Sequence, residues 1–163
     1  IDQMLKKIFV AAYCGLAVFL MSFSVKNTTE KTSEFYYQNP TEVTWKLLGQ
    51  IDFVKKKNPH YGEVMYPMVN GTLKALQGKK IKASGFIVPI DSKSYALSKN
   101  VFAQCFFCGN AGPETIMGIK FKGNTPRLKT DTYVTMEGTF RYNADDIDDW
   151  IYHIENAVIT HQK

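Results

Sequence analysis

Histidine and cysteine are scarce: the 163 residues hold three of each. His60, His153 and His161 follow no ligand spacing, so a closed four-ligand zinc finger cannot be written from one run of this chain. There is no HExxH motif, no glycine-rich phosphate loop and no Ser/His/Asp set in recognisable context. Metalloprotease, nucleotide-cradling and triad-hydrolase readings fall away with them. The acidic run Asp145-Asp146-Ile147-Asp148-Asp149 lacks the alternating ligands and central glycine of a calcium loop, so it reads as a solvated turn. Internal repeats and a second domain are also missing. Hydrophobic residues make up 45% and charged residues 21%, a balance that excludes wholesale disorder.

What is present begins with an N-terminus laid out like an export signal. Lys6-Lys7 supply a basic start, residues 8–23 an uncharged, mostly apolar run, and Ser22-Phe23-Ser24 a small-x-small cleavage site. Met4 reads as the natural start. The expected organisation is a signal peptide over 1–24, a polar tether over 25–43 and one β domain over 44–163. The expected location is exported and periplasmic, the alternative a membrane anchor formed by residues 8–23. A lipid anchor at Cys14 fits less well, because bulky Tyr13 precedes it and the apolar run continues beyond it.

Export leaves Cys105 and Cys108 as the cysteines of the mature protein. It also leaves a basic chain, from a net charge of +5 for the whole sequence. Basic clusters at Lys55-Lys56-Lys57, Lys79-Lys80-Lys82 and Lys120 to Lys129 suit a solvated surface or an acidic partner.

Residues 44–53 fit either a helix through Trp45, Leu48 and Ile51 or a bulged strand through Leu47, Ile51 and Phe53; the strand is favoured. Lys55 to Tyr61 reads as a loop closed by Asn58-Pro59. Asn70 to Gly78 reads as one or two helical turns. Strands are expected at Lys79 to Ile90, kinked at Gly85, then over Tyr95 to Phe107, interrupted near Lys99-Asn100, and over Thr115 to Phe121. Tyr133 to Tyr142 is the clearest of all. Val134, Met136, Gly138, Phe140 and Tyr142 share one face, and Tyr133, Thr135, Glu137, Thr139 and Arg141 the other. The last strand is expected from Tyr152 to Ile159. Long strands broken by Gly85 and Gly138 predict a small OB-like antiparallel barrel with one or two short helices, the alternative being a β-sandwich.

The order Trp45-x-x-Leu48, then Leu76-x-Gly78-Lys79-x-Ile81-x-x-x-Gly85-Phe86-x-x-Pro89, then a cysteine loop, resembles uncharacterised exported bacterial proteins with an OB-like domain. A subgroup of these carries Cys-Phe-Phe-Cys-Gly-x-Ala-Gly-Pro-Glu, here Cys105 to Glu114. The resemblance implies an exported OB-like barrel and brings no established activity or catalytic residues.

Cys105-Phe106-Phe107-Cys108-Gly109 supports several chemistries. As a knuckle, Cys105 and Cys108 would hold a soft metal, zinc or Cu(I), with Met65, Met68, Met117 or Met136 as further soft donors. As a disulfide in an oxidising space, the pair closes a very small loop and adds little stability. As an exchange site it would need a helix N-terminus to lower the first thiol's pKa, yet the following residues read as a loop. The pair could also be idle, the loop simply packing Phe106 and Phe107. The function expected is a non-enzymatic binding or accessory module whose partner is an envelope protein or membrane complex. Nucleic acid is not an expected partner, because export removes it. The alternatives are a thiol–disulfide exchanger and a purely structural domain.

Overall fold

The computed structural model describes residues 39–105, 109 and 111–163, all within one compact unit. The expected signal segment and most of the tether lie outside these residues. The stretch expected as tether ends inside the fold: Thr41–Glu42 (β1) pairs in parallel with Ile81 and Lys82, and Val43 is buried.

Residues 44–48 correct the favoured strand. The Thr44 side chain accepts the N–H of Leu47 at 3.2 Å and starts a one-turn helix, α1 (Trp45–Leu48). The turn puts Leu48 in the core and lays Trp45 along the barrel wall, where its Nε1 donates to the Ser84 carbonyl at 2.7 Å. An extended chain could not satisfy both.

The loop expected over Lys55 to Tyr61 is instead half of a hairpin. β2 (Asp52–Asn58) pairs antiparallel with β3 (Gly62–Met68), from Asp52 opposite Met68 to Asn58 opposite Gly62. Asn58 shapes the turn: its Oδ1 accepts the N–H groups of His60 and Tyr61 at 2.8 and 3.2 Å. Cross-strand pairs replace the missing apolar alternation. Lys55 meets Glu63 at 3.2 Å, and Lys56 sits over the Tyr66 ring, 5.2 Å from its centroid.

A second short helix, α2 (Gly71–Ala75), is capped by Asn70, whose side chain accepts the Leu73 N–H at 3.0 Å. It buries Leu73 and leads into the barrel, as the sequence suggests.

The barrel strands are β4 (Lys80–Pro89), β5 (Tyr95–Ser98), β6 (Ile116–Phe121), β7 (Tyr133–Tyr142) and β8 (Tyr152–Gln162). Among the described residues they form a ring in the order β4-β5-β6-β8-β7, closed by pairing of β7 with β4. All neighbours run antiparallel except β6 and β8, which are parallel. This is an OB-like barrel, with the two short helices and the β2–β3 hairpin as additions. The interruption expected near Lys99-Asn100 ends β5 after four residues, and beyond it the chain makes a 3-10 turn at Phe102–Gln104 instead of resuming a strand there.

Closure depends on two close approaches. A Cβ on Gly85 would lie 2.5 Å from the Ser98 carbonyl oxygen and 3.1 Å from the Trp45 ring. A Cβ on Gly138 would lie 2.6 Å from Ile154 and 2.7 Å from the Glu155 carbonyl oxygen. Coiling two strands this tightly leaves no room for a side chain. Register shifts in β8 relieve the rest: Asn156, with φ at +52°, is the extra residue between Glu155 and Ala157. Inside the ring lie Ile81, Ile87, Leu97, Met117, Val134, Met136, Phe140, Tyr152 and Ile154, all fully buried.

Candidate functional site

The cysteine loop joins β5 to β6 and is clamped where it leaves and re-enters the barrel. On the way out, Asn100 N–H donates to the Ser98 hydroxyl at 3.1 Å and Phe102 N–H to the Asp131 carboxylate at 2.7 Å. Asp131 has a positive φ of 63°, and its own N–H donates to the Ile87 carbonyl, so the acceptor is held by β4. On the way back, Thr115 donates through both its N–H and its hydroxyl to the Gly112 carbonyl, and Lys99 N–H donates to the Thr115 carbonyl at 2.9 Å. A loop gripped at both ends by a rigid barrel can hold a site in place.

Within the motif, Cys105 follows the 3-10 turn, its N–H donating to the Phe102 carbonyl at 3.2 Å, and its side chain is fully buried as a free thiol. Cys108 and both motif phenylalanines lie outside the described residues. Behind them, Gly109 stands in a turn, and Pro113–Thr115 form a 3-10 turn rather than an α-helix. Glu114 is half-buried near Tyr152. Burial first, and the Glu114 charge second, push the Tyr152 hydroxyl above its ordinary pKa. The hydroxyl therefore stays protonated and donates to the Leu48 carbonyl at 2.8 Å, tying β8 to α1.

The other residues weighed as ligands are scattered. His60 is exposed at the β2–β3 turn, His153 is buried at the start of β8 and His161 is exposed near its end. Met117 and Met136 are fully buried in the core, whereas Met65 and Met68 are exposed on β3. Among the described residues, no three His, Cys, Asp or Glu side chains converge as a metal site. No helix among them is long and apolar enough to cross a membrane.

The structure assembles one charged network that sequence reasoning missed. Arg141 on β7 donates from Nε to Glu155 on β8 and from its terminal nitrogen to Asp149, each at 3.0 Å. Asp149 also lies 3.1 Å from His153 Nε2, which is 3.0 Å from the Trp150 carbonyl oxygen, and Lys120 reaches Glu155 at 3.4 Å. The rings of His153 and Trp150 sit over Gly118, where a Cβ would meet them at 2.9 and 2.8 Å.

Burial of His153, then the positive charge of Arg141, hold its pKa below the usual histidine value against the pull of Asp149. Burial works to raise the Asp149 carboxyl, but the Arg141 hydrogen bond and the His153 charge outweigh it and hold it low. Glu155 is held low in the same way, by Arg141 and Lys120 against burial. The only sequence signal was Arg141 on the wet face of a cleanly alternating strand. Its partners are set by the β7–β8 register, which places Arg141 opposite His153.

No family model matches this chain, and no curated protein matches it. Among solved structures it is similar to the crystal structure of a DUF3299 family protein from Pseudomonas aeruginosa PAO1. That likeness has a TM-score of 0.46 and 16% sequence identity, over 76% of this chain and 94% of the other.

Proposed function

We propose that this protein is an exported, non-enzymatic binding or accessory module of the cell envelope. Its OB-like barrel presents the Cys105–Glu114 loop to a soft metal ion or to an envelope partner, with Cys105 and Cys108 as the thiolate ligands. The observation that supports this reading is the clamped frame: the loop is pinned through Asp131 at one end and Gly112–Thr115 at the other. A motif of two thiols needs such a frame to keep its sulfurs at ligand spacing without a long helix behind them. Among the described residues behind the pair, Pro113–Thr115 form a 3-10 turn rather than the long helix whose N-terminus would lower a thiol's pKa, which supports binding over thiol exchange.

The test is metal analysis with thiol counting on the full chain, purified from the exported compartment under zinc and under copper. Near-stoichiometric metal is expected, lost in both Cys105→Ser and Cys108→Ser. A metal-free, fully oxidised pair of very low reduction potential would overturn this in favour of a structural disulfide. A readily reduced pair with a low-pKa thiol would overturn it in favour of exchange.

A further inference from the structure

A groove of about 460 Å³ runs between the β2–β3 hairpin and the β7–β8 loop. One wall is apolar and aromatic, built from Phe53, Met65 and Tyr66. Asp146, Asp148, Asp149 and Trp150 of the β7–β8 loop also line the groove. None of the described residues lining it is a lysine or arginine, although the whole chain is net positive at +5. Arg141 is paired with Asp149 and the Lys56 ammonium lies over the Tyr66 ring, so the negative charge that Arg141 leaves unengaged beside the apolar floor is that of Asp146 and Asp148.

We propose that this groove docks a partner polypeptide segment in which a lysine or arginine lies beside an apolar side chain. Charge complementarity selects the occupant. An anionic lipid surface or a nucleic acid would meet three aspartates, whereas a cationic side chain is attracted and its apolar neighbour gains the floor. The volume suits a few side chains of a segment. The carboxylates differ in availability. Asp149 is engaged by Arg141 and His153. Asp146 and Asp148 are exposed and hold lighter duties: Asp146 accepts the Asp148 N–H at 3.0 Å, and Asp148 accepts the Tyr61 hydroxyl at 3.1 Å. That last bond joins the hairpin turn to the loop between two exposed groups, so an arriving cation can compete for it. Met65, half exposed at 52%, offers an unbranched surface that adapts to the guest.

The site is independent of the thiols, and its test does not involve them. A random peptide library displayed on phage is panned on the immobilised full chain, and an enriched peptide is synthesised and titrated while Trp150 is followed by fluorescence or NMR. Enrichment of lysine or arginine next to aliphatic or aromatic residues is expected, with binding that weakens as salt rises. The double variant Asp146→Asn/Asp148→Asn keeps both hydrogen-bond acceptors and removes only charge. It is expected to weaken the peptide roughly tenfold, with an unchanged melting temperature as the folding control. No enrichment, enrichment of acidic or purely apolar peptides, or equal affinity for the double variant would each overturn the proposal.

Discussion

Asp149 Oδ2 lies 3.1 Å from His153 Nε2, joining the acidic loop to the start of β8. Arg141 reaches the same oxygen through its terminal nitrogen at 3.0 Å. The buried histidine thus feels a carboxylate that favours its protonation and a cation that disfavours it. Burial and the cation prevail.

Stability is expected to decline on acidification. The folded pKa of His153 lies below its ordinary value of 6.5, so between the two the unfolded chain binds more protons. The contribution is complete above about 6.5 and is lost as pH falls toward the folded value. Asp149 and Glu155 act in the same sense at lower pH: their folded pKa values are depressed, and their contributions vanish as pH falls through those values. Thermal melts from neutral to mildly acid buffer should show a falling midpoint, and His153→Gln should remove the upper part of the fall. A midpoint that rises on acidification would refute this assignment.

Gly85→Ala and Gly138→Ala should each destabilise the barrel by about 1–3 kcal/mol, because each new methyl meets a strand carbonyl oxygen that cannot swing aside, Ser98 or Glu155, as well as packed side chains. Gly71→Ala is the contrast: it stands at the exposed start of α2 with nothing within 4 Å of its Cβ position. That change should be neutral or stabilising by up to about 1 kcal/mol. Chemical denaturation of the three variants measures the difference. Equal midpoints would show that the two barrel glycines are not packing constraints.

Tyr152→Phe removes the donor to the Leu48 carbonyl at 2.8 Å and leaves that buried acceptor unmet. A loss of about 1–2 kcal/mol is expected, with the β-sheet signal in circular dichroism unchanged. Hydrogen exchange should quicken first in α1, whose last residue the bond holds. Uniform quickening across the barrel instead would place the effect in the core packing of the ring.

Much of the barrel was legible because burial writes an alternation that needs no partner to be seen. In β7, Val134, Met136 and Phe140 are fully buried, on the face their spacing indicated. Gly85 and Gly138 stood inside long strands, and the close approaches explain them. The β2–β3 hairpin was illegible because Lys55, Lys56 and Lys57 carry no apolar pattern. Their strand is recognised by its pairing with β3, which brings Lys55 diagonally to Glu63 and Lys56 diagonally to Tyr66. The helix at Trp45–Leu48 was misread because its spacing served a strand equally well. The Thr44 cap and the Trp45 bond to Ser84 decide it.

The site divides in the same way. The Cys105–Glu114 motif is a property of the sequence, as are the turn-forming residues behind the pair. Its clamping through Asp131, and the meeting of Asp149, Arg141, His153 and Glu155, come from separate stretches of chain brought into register. Side-chain alternation and turn chemistry are local and can be read one residue at a time. Ion pairs, grooves and close approaches depend on which strand lies beside which, and only closure of the barrel settles that.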